Sequence, residues 1–191
     1  MHRALSCKQQ RGPKNKKKEN IMTILHYSRF AAVFAAVSGL VLTACGEPPA
    51  NSPPVDCPVI GNKCADGSIN AGVSPDTGAT LYVTPRDAPT VMNWMAAFEY
   101  AASLKAYGND DWRLPTKDEL IVLYQNRKEG ALKGTFNESG SVVAHWYWSC
   151  TERPGNSSDV HTVRITDAHA AWFGKDYLEL STRPVRSEPR P

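Results

Sequence analysis

Asp111-Trp112-Arg113-Leu114-Pro115-Thr116-Lys117-Asp118-Glu119-Leu120 puts an aromatic side chain, two opposite charges, a rigid proline and a helix start into ten residues. Thr116 followed three residues later by Glu119 is a capping box. The hydroxyl accepts from the Glu119 amide, and the carboxylate reaches back to the Thr116 amide. Pro115 and Leu120 fall at the apolar staple positions that fix the entry angle. The spacing therefore predicts a helix from about Lys117 to Arg127, with Leu120, Leu123 and Tyr124 inward. Trp112 alternates with Asp111 and Arg113, which suits a buried aromatic flanked by a charge network. We expect this pair to form a hydrogen-bonded hinge before the helix, in preference to a ligand clamp.

Upstream, Val91, Trp94, Met95, Phe98, Ala101 and Ala102 recur at helical spacing, with Thr90 or Asp87 as the cap and Tyr107-Gly108 as the stop. An aromatic stripe of this kind reads as core, and Trp94 and Phe98 are assigned there. Before it, Gly72, Pro75, Asp76 and Gly78 punctuate the chain ahead of a short strand over 79–83. Downstream, 146–151 reads as a strand with Tyr147 and Ser149 on one face and Trp146 and Trp148 on the other. Residues 160–165 form a second strand, Thr166-Asp167-Ala168 a turn, 170–173 the return, and Glu179 to Arg186 closes the sheet. Helices first and a strand meander after imply an α+β fold.

Several blocks together resemble one family. They are Trp94-x6-Ala101, Tyr107-Gly108-x-x-Asp111-Trp112-Arg113-Leu114-Pro115-Thr116-x-x-Glu119-Leu120, Gly134-Thr-Phe-Asn137 with Gly140, Trp146-Tyr147-Trp148-Ser149, and Arg183-Pro184-Val185-Arg186. Over roughly 76–187 the chain is similar to the Lcl C-terminal-domain family. The resemblance implies a C-type-lectin-like fold: two helices packed on a small, twisted, mainly antiparallel sheet with long loops. It also exposes departures. Many members pair a cysteine in the first helix with one in the closing strand, where this chain has Ala101 and Pro184. Pro184 cannot donate to a ladder, which predicts an edge or a bulge there. Members often carry Ser-Asp-Gly where this chain has Thr166-Asp167-Ala168, and a serine where it has Cys150.

The N-terminal third describes location. Residues 1–44 hold eight Lys/Arg against the single acid Glu19, so a formal charge of +3 for the whole chain becomes −4 from Cys45 onward. A mildly acidic mature chain gives phosphate backbones no electrostatic support, and nucleic acid is set aside. The 13 apolar residues 30–42 are too few for a spanning helix and match a signal-peptide core. They end in Leu42-Thr43-Ala44-Cys45, which resembles the bacterial lipobox. Cys45 is the expected lipidation site, and the absence of Asp after it favours the outer membrane. The proline-rich stretch 47–54 follows as a spacer. The expected organisation is a signal peptide over 1–44, with Met22 a second plausible start. A lipidated cysteine, linker and cysteine loop follow over 45–75, then the domain over 76–187 and a tail over 188–191.

In an oxidising envelope Cys57 and Cys64 are expected to close a local disulfide, with Cys57–Cys150 and Cys64–Cys150 as alternatives. Zinc would need two more ligands at matching spacing, which are absent nearby. Cys150 is the odd one in this arithmetic. Asp159-x-His161 and Asp167-x-His169 put acid and imidazole on one strand face, and Cys150 with a histidine sketches a thiol nucleophile. Both read better as ordinary strand and turn sequence, so no catalytic residue, metal or cofactor is assigned. The calcium-dependent lectin signatures are also missing. The expectation is a non-enzymatic envelope lipoprotein, held to a membrane by its lipid, whose loops bind a glycan or another surface polymer in an adhesion-type role. Trp146, Trp148 and Trp172 are the candidate stacking platforms. A scaffold that binds an envelope protein is the alternative, and an enzyme the third.

Overall fold

In the computed structural model, residues 57–176 and 178–188 are described; the leader, the lipobox at Cys45 and the proline spacer lie outside them. The predicted capping box forms as drawn. Thr116 Oγ1 accepts from the Glu119 amide at 3.0 Å, and Glu119 Oε2 accepts from the Thr116 amide at 2.9 Å. Helix α2 runs Lys117–Asn126 and buries Leu120 and Leu123. Helix α1 runs Trp94–Ser103, shorter at both ends than its apolar pattern suggests. Its cap is Asn93, whose side chain accepts from the Ala96 amide, and not Thr90 or Asp87. Only Trp94, Ala97 and Ala101 are buried along it; Val91 and Met95 are exposed at 38% and 53%.

Among the described residues six strands form two antiparallel sheets where one was expected. Strands β1 (Ile69–Val73), β2 (Thr80–Val83) and β6 (Val185–Glu188) pair in the order β1-β2-β6. Strands β3 (Trp146–Arg153), β4 (Asn156–Arg164) and β5 (Ala170–Gly174) pair in the order β3-β4-β5. Strand β1 lies in the stretch assigned by sequence to linker and loop, so the folded unit begins before Asp76. Its register slips between Asn70 and Gly72, where the Asn70 side chain caps the Gly72 amide. The expected closing strand is also divided. Ser181 exchanges backbone hydrogen bonds with Trp146 and Trp148 of β3, whereas Val185 onward belongs to β6 beside β2. Pro184 sits just before β6, outside the ladder, with its carbonyl taking the Thr84 amide.

Strand β3 is buried on both faces over 147–150. Tyr147 and Val163, paired in register, join Leu120 and Leu123 of α2 in one core. The next residue along, Trp148, points the other way and joins Trp94, Ala97 and Ala101 of α1 in a second core with Val160. The stretch 111–115 bridges the two sheets. Arg113 exchanges both backbone hydrogen bonds with Val185 at 2.9 Å, and the Pro115 carbonyl accepts from Cys150 of β3 at 2.9 Å. Trp112 is 2% exposed and donates its indole N–H to the Ala106 carbonyl at 3.0 Å. Asp111 and Arg113 do not pair with each other. Arg113 grips Glu119, and Asp111 accepts from Arg186 at 3.1 Å. The two charges beside the buried Trp112 therefore serve two different partners.

Cys57 and Cys64 are bonded, with Cα atoms 5.4 Å apart, which removes both alternative pairings. Cys150 is only 4% exposed and packs in the core with Trp94 and Trp148. The turn at 166–168 keeps its shape without glycine: Ala168 adopts φ 60°, in the left-handed region.

Candidate functional site

Two loops, 84–93 before α1 and 133–141 before β3, face each other across an open cleft of about 620 Å³. Pro85, Arg86, Thr90, Val91, Gly134 and Asn137 are among its lining residues. Its floor is a buried ion pair. Asp87 Oδ1 accepts from Arg183 Nε at 2.6 Å, and Oδ2 accepts from the Tyr147 hydroxyl at 2.5 Å. Arg183 is fully buried; it donates to the Thr84 carbonyl at 2.7 Å and to the Thr135 carbonyl, and lies 4.1 Å over the Phe136 ring. The Tyr147 hydroxyl accepts from the Asn137 amide at 2.8 Å, and the Asn137 side chain donates to Ser181 at 2.8 Å. One guanidinium and one phenol therefore staple both cleft loops to the core.

Burial pushes the Asp87 carboxyl up, against the pull of Arg183 and of the Tyr147 hydrogen bond. Burial, then the adjacent Asp87, drive the Tyr147 phenol far upward, so it remains a donor at any physiological pH. With each oxygen already accepting a hydrogen bond, Asp87 is suited to hold the loops in place. The exposed groups at the rim are Arg86 and Thr90. Sequence reasoning missed this cluster. Asp87 drew notice only as a helix cap, and its partner lies 96 residues away.

The candidate platforms separate sharply. Trp148 is wholly buried, with its indole donating to the Met92 carbonyl at 2.8 Å, and cannot stack on a ligand. Trp146 is half-buried between Phe173 at 4.9 Å and His169 at 5.8 Å, with Arg164 at 5.3 Å over its ring. Trp172 is half-buried at the far end of sheet β3-β4-β5, stacked on His161 with ring centres 3.3 Å apart. Of the three it is the one not enclosed by a core. Burial, then the nearby Lys117, lower the pKa of His161.

The two Asp-x-His pairs do not converge. Asp159 accepts from Arg153 and Asn156, while Asp167 is held by Arg164 and titrates at about 2. Among the described residues, no group of three or more His, Cys, Asp or Glu side chains is placed to hold a metal ion, and no helix is long and apolar enough to cross a membrane.

The joint at 111–120, the glycine-punctuated 134–140 loop and the 183–186 segment are thus parts of one assembly, and they are among the blocks that carried the resemblance. No curated protein matches the chain. The family model for the Lcl C-terminal domain matches residues 60–186, from within the disulfide loop into β6, and the chain belongs to that family.

Proposed function

We propose that this is a lipid-anchored protein of a bacterial envelope, held at the outer membrane, whose domain binds a glycan or another surface polymer without transforming it. The cleft between 84–93 and 133–141 carries this reading. Both walls are loops, both are stapled from beneath by Asp87, Tyr147 and Arg183, and the rim offers hydroxyl and guanidinium donors. A preorganised polar cleft binds a hydroxyl-rich chain without a large ordering cost. The lipid anchor rests on Cys45 and the leader before it. The non-catalytic reading is supported by Asp87, the carboxylate that lines the cleft, having both oxygens engaged by Arg183 and Tyr147.

A glycan array with the mature chain tests the binding. Retention should fall about tenfold in Arg86→Ala, as expected for losing one charge-assisted hydrogen bond, with unfolding unchanged. Equal retention by Arg86→Ala, Thr90→Ala and Trp172→Ala would remove the cleft and the tryptophan together. Incorporation of labelled palmitate, abolished in Cys45→Ser, tests the anchor. A second reading, a scaffold lipoprotein within an envelope assembly, is favoured by the exposed Val91 and Met95. A stoichiometric protein partner lost in Met95→Asp would select it.

A further inference from the structure

We propose that the apolar tip Val59–Ile60 rests on the bilayer that holds the lipid anchor, so that the domain stands on its membrane in a fixed orientation. The proposal builds on the lipid-anchor reading above. Val59 and Ile60 are exposed at 55% and 42%, adjacent in sequence, at the apex of the loop closed by Cys57–Cys64. The loop is not slack. The Gly61 amide donates to the Asn70 carbonyl at 2.8 Å, and the Gly61 carbonyl accepts from Ala131 at 2.7 Å. A Cβ on Gly61 would sit 2.7 Å from the Glu129 carbonyl carbon, so this backbone approach requires glycine, as does its φ of 84°. Two large aliphatic side chains are therefore held outward by a rigid base.

Charge and tether length name the occupant. Exposed Lys63 follows the tip, and exposed Lys128 and Lys133 flank the 129–131 backbone on which it is pressed, with exposed Glu129 between them. That basic rim stands out on a chain that is net acidic from Cys45 onward. Aliphatic residues within a lysine rim suit an anionic phospholipid surface, where acyl chains accept the first and headgroups the second. Only residues 46–56 separate Cys45 from Cys57. Their full extension is at most roughly 40 Å, and Val59 lies two residues beyond the point where that tether enters the fold.

The test is hydrogen exchange over 57–64 in the full lipidated chain, reconstituted in vesicles of phosphatidylethanolamine and phosphatidylglycerol, with the Cys45→Ser chain in solution as reference. Exchange should slow about tenfold on the vesicles. The Val59→Asp, Ile60→Asp double variant should remain vesicle-bound through its lipid and lose that slowing. Wild type that exchanges at the solution rate while anchored overturns the proposal. So does slowing that needs envelope proteins added to the vesicles, which would put a protein on the tip. If the chain takes up no acyl group, the anchor reading fails by itself. The tip is then judged by sedimentation of the chain with phosphatidylglycerol vesicles: loss in the double variant upholds it, and no sedimentation overturns it.

Discussion

Replacing Glu119 with glutamine should cost about 3–5 kcal/mol, the usual cost of breaking a buried ion pair from one side. The carboxylate is 1% exposed and receives four donors. Oε2 accepts from Arg113 Nη1 at 2.6 Å and the Thr116 amide at 2.9 Å, while Oε1 accepts from Arg113 Nη2 and Ser74 Oγ, each at 2.7 Å. Glutamine preserves the shape but offers one acceptor and turns an NH₂ toward two donors, leaving a largely buried guanidinium without its counter-charge. Against a typical total stability of roughly 5–15 kcal/mol, the midpoint should fall by about 10–20 °C. Urea unfolding followed by tryptophan fluorescence measures the loss, and a cycle with Arg113→Met isolates the pair. Thr116→Ala, expected to cost about 1 kcal/mol, separates the cap from the charge. A Glu119→Gln loss below about 1 kcal/mol would refute the reasoning, because the helix cap alone would then hold the joint. The pair also sets an acid limb. Burial raises the Glu119 pKa, but the Arg113 hydrogen bonds and charge, with the Thr116 amide and Ser74, outweigh it and leave the value below the ordinary 4.5. A depressed folded pKa means stability that is present above the unfolded pKa and lost as pH falls through the folded one. Glu119→Gln should therefore flatten the decline of stability below about pH 4.5.

Ala168→Gly should raise stability by about 0.5–1 kcal/mol, since the left-handed region costs an L-residue about 1–2 kcal/mol and glycine returns part of that as unfolded-state entropy; a rise of a few degrees in thermal midpoint checks it. Replacing Cys57 and Cys64 together with serine should remove roughly 2–3 kcal/mol on the chain-entropy model, read as a shift in urea midpoint that reduction of the parent reproduces in part. Trp148→Ala should cost about 3–5 kcal/mol, while Trp172→Ala, away from both cores, should stay within about 1 kcal/mol; parallel denaturation curves decide whether the two tryptophans differ as their surroundings do.

Features encoded within a few residues were legible. The capping box of α2 is a contact between positions three apart, and the Cys57–Cys64 loop closes over a separation of 7. The α1 boundary was misread because Thr90 and Asp87 are good caps in isolation. Asp87 is instead taken by Arg183, and Asn93 is left to cap. Strand β1 escaped notice because Gly72 breaks its pattern and its residues are buried without alternation. The tryptophans of β3 resisted assignment for a related reason. With helices over both faces of that sheet, Tyr147 and Trp148 are both wholly buried, so period-two alternation no longer separates core from solvent. Nothing local announces that Arg183 and Asp87 meet, because the information lies in topology.

That topology joins the 111–120 stretch to the cleft. Arg113 is bridged by Val185, Asp111 is paired with Arg186, and Ser187 lies 3.3 Å from the Arg113 guanidinium. Two residues before Val185, Arg183 enters the other network and staples both cleft loops. One short segment, 181–187, thus completes the joint between the sheets and the floor of the cleft. The side chains of this segment reach partners 37 to 99 residues back along the chain. Contacts of such separation are satisfied only when the whole domain has closed. The cleft walls, which carry few core side chains of their own, borrow their order from that closure. If the cleft binds as proposed, its surface is preorganised when the domain is folded and absent when it is not.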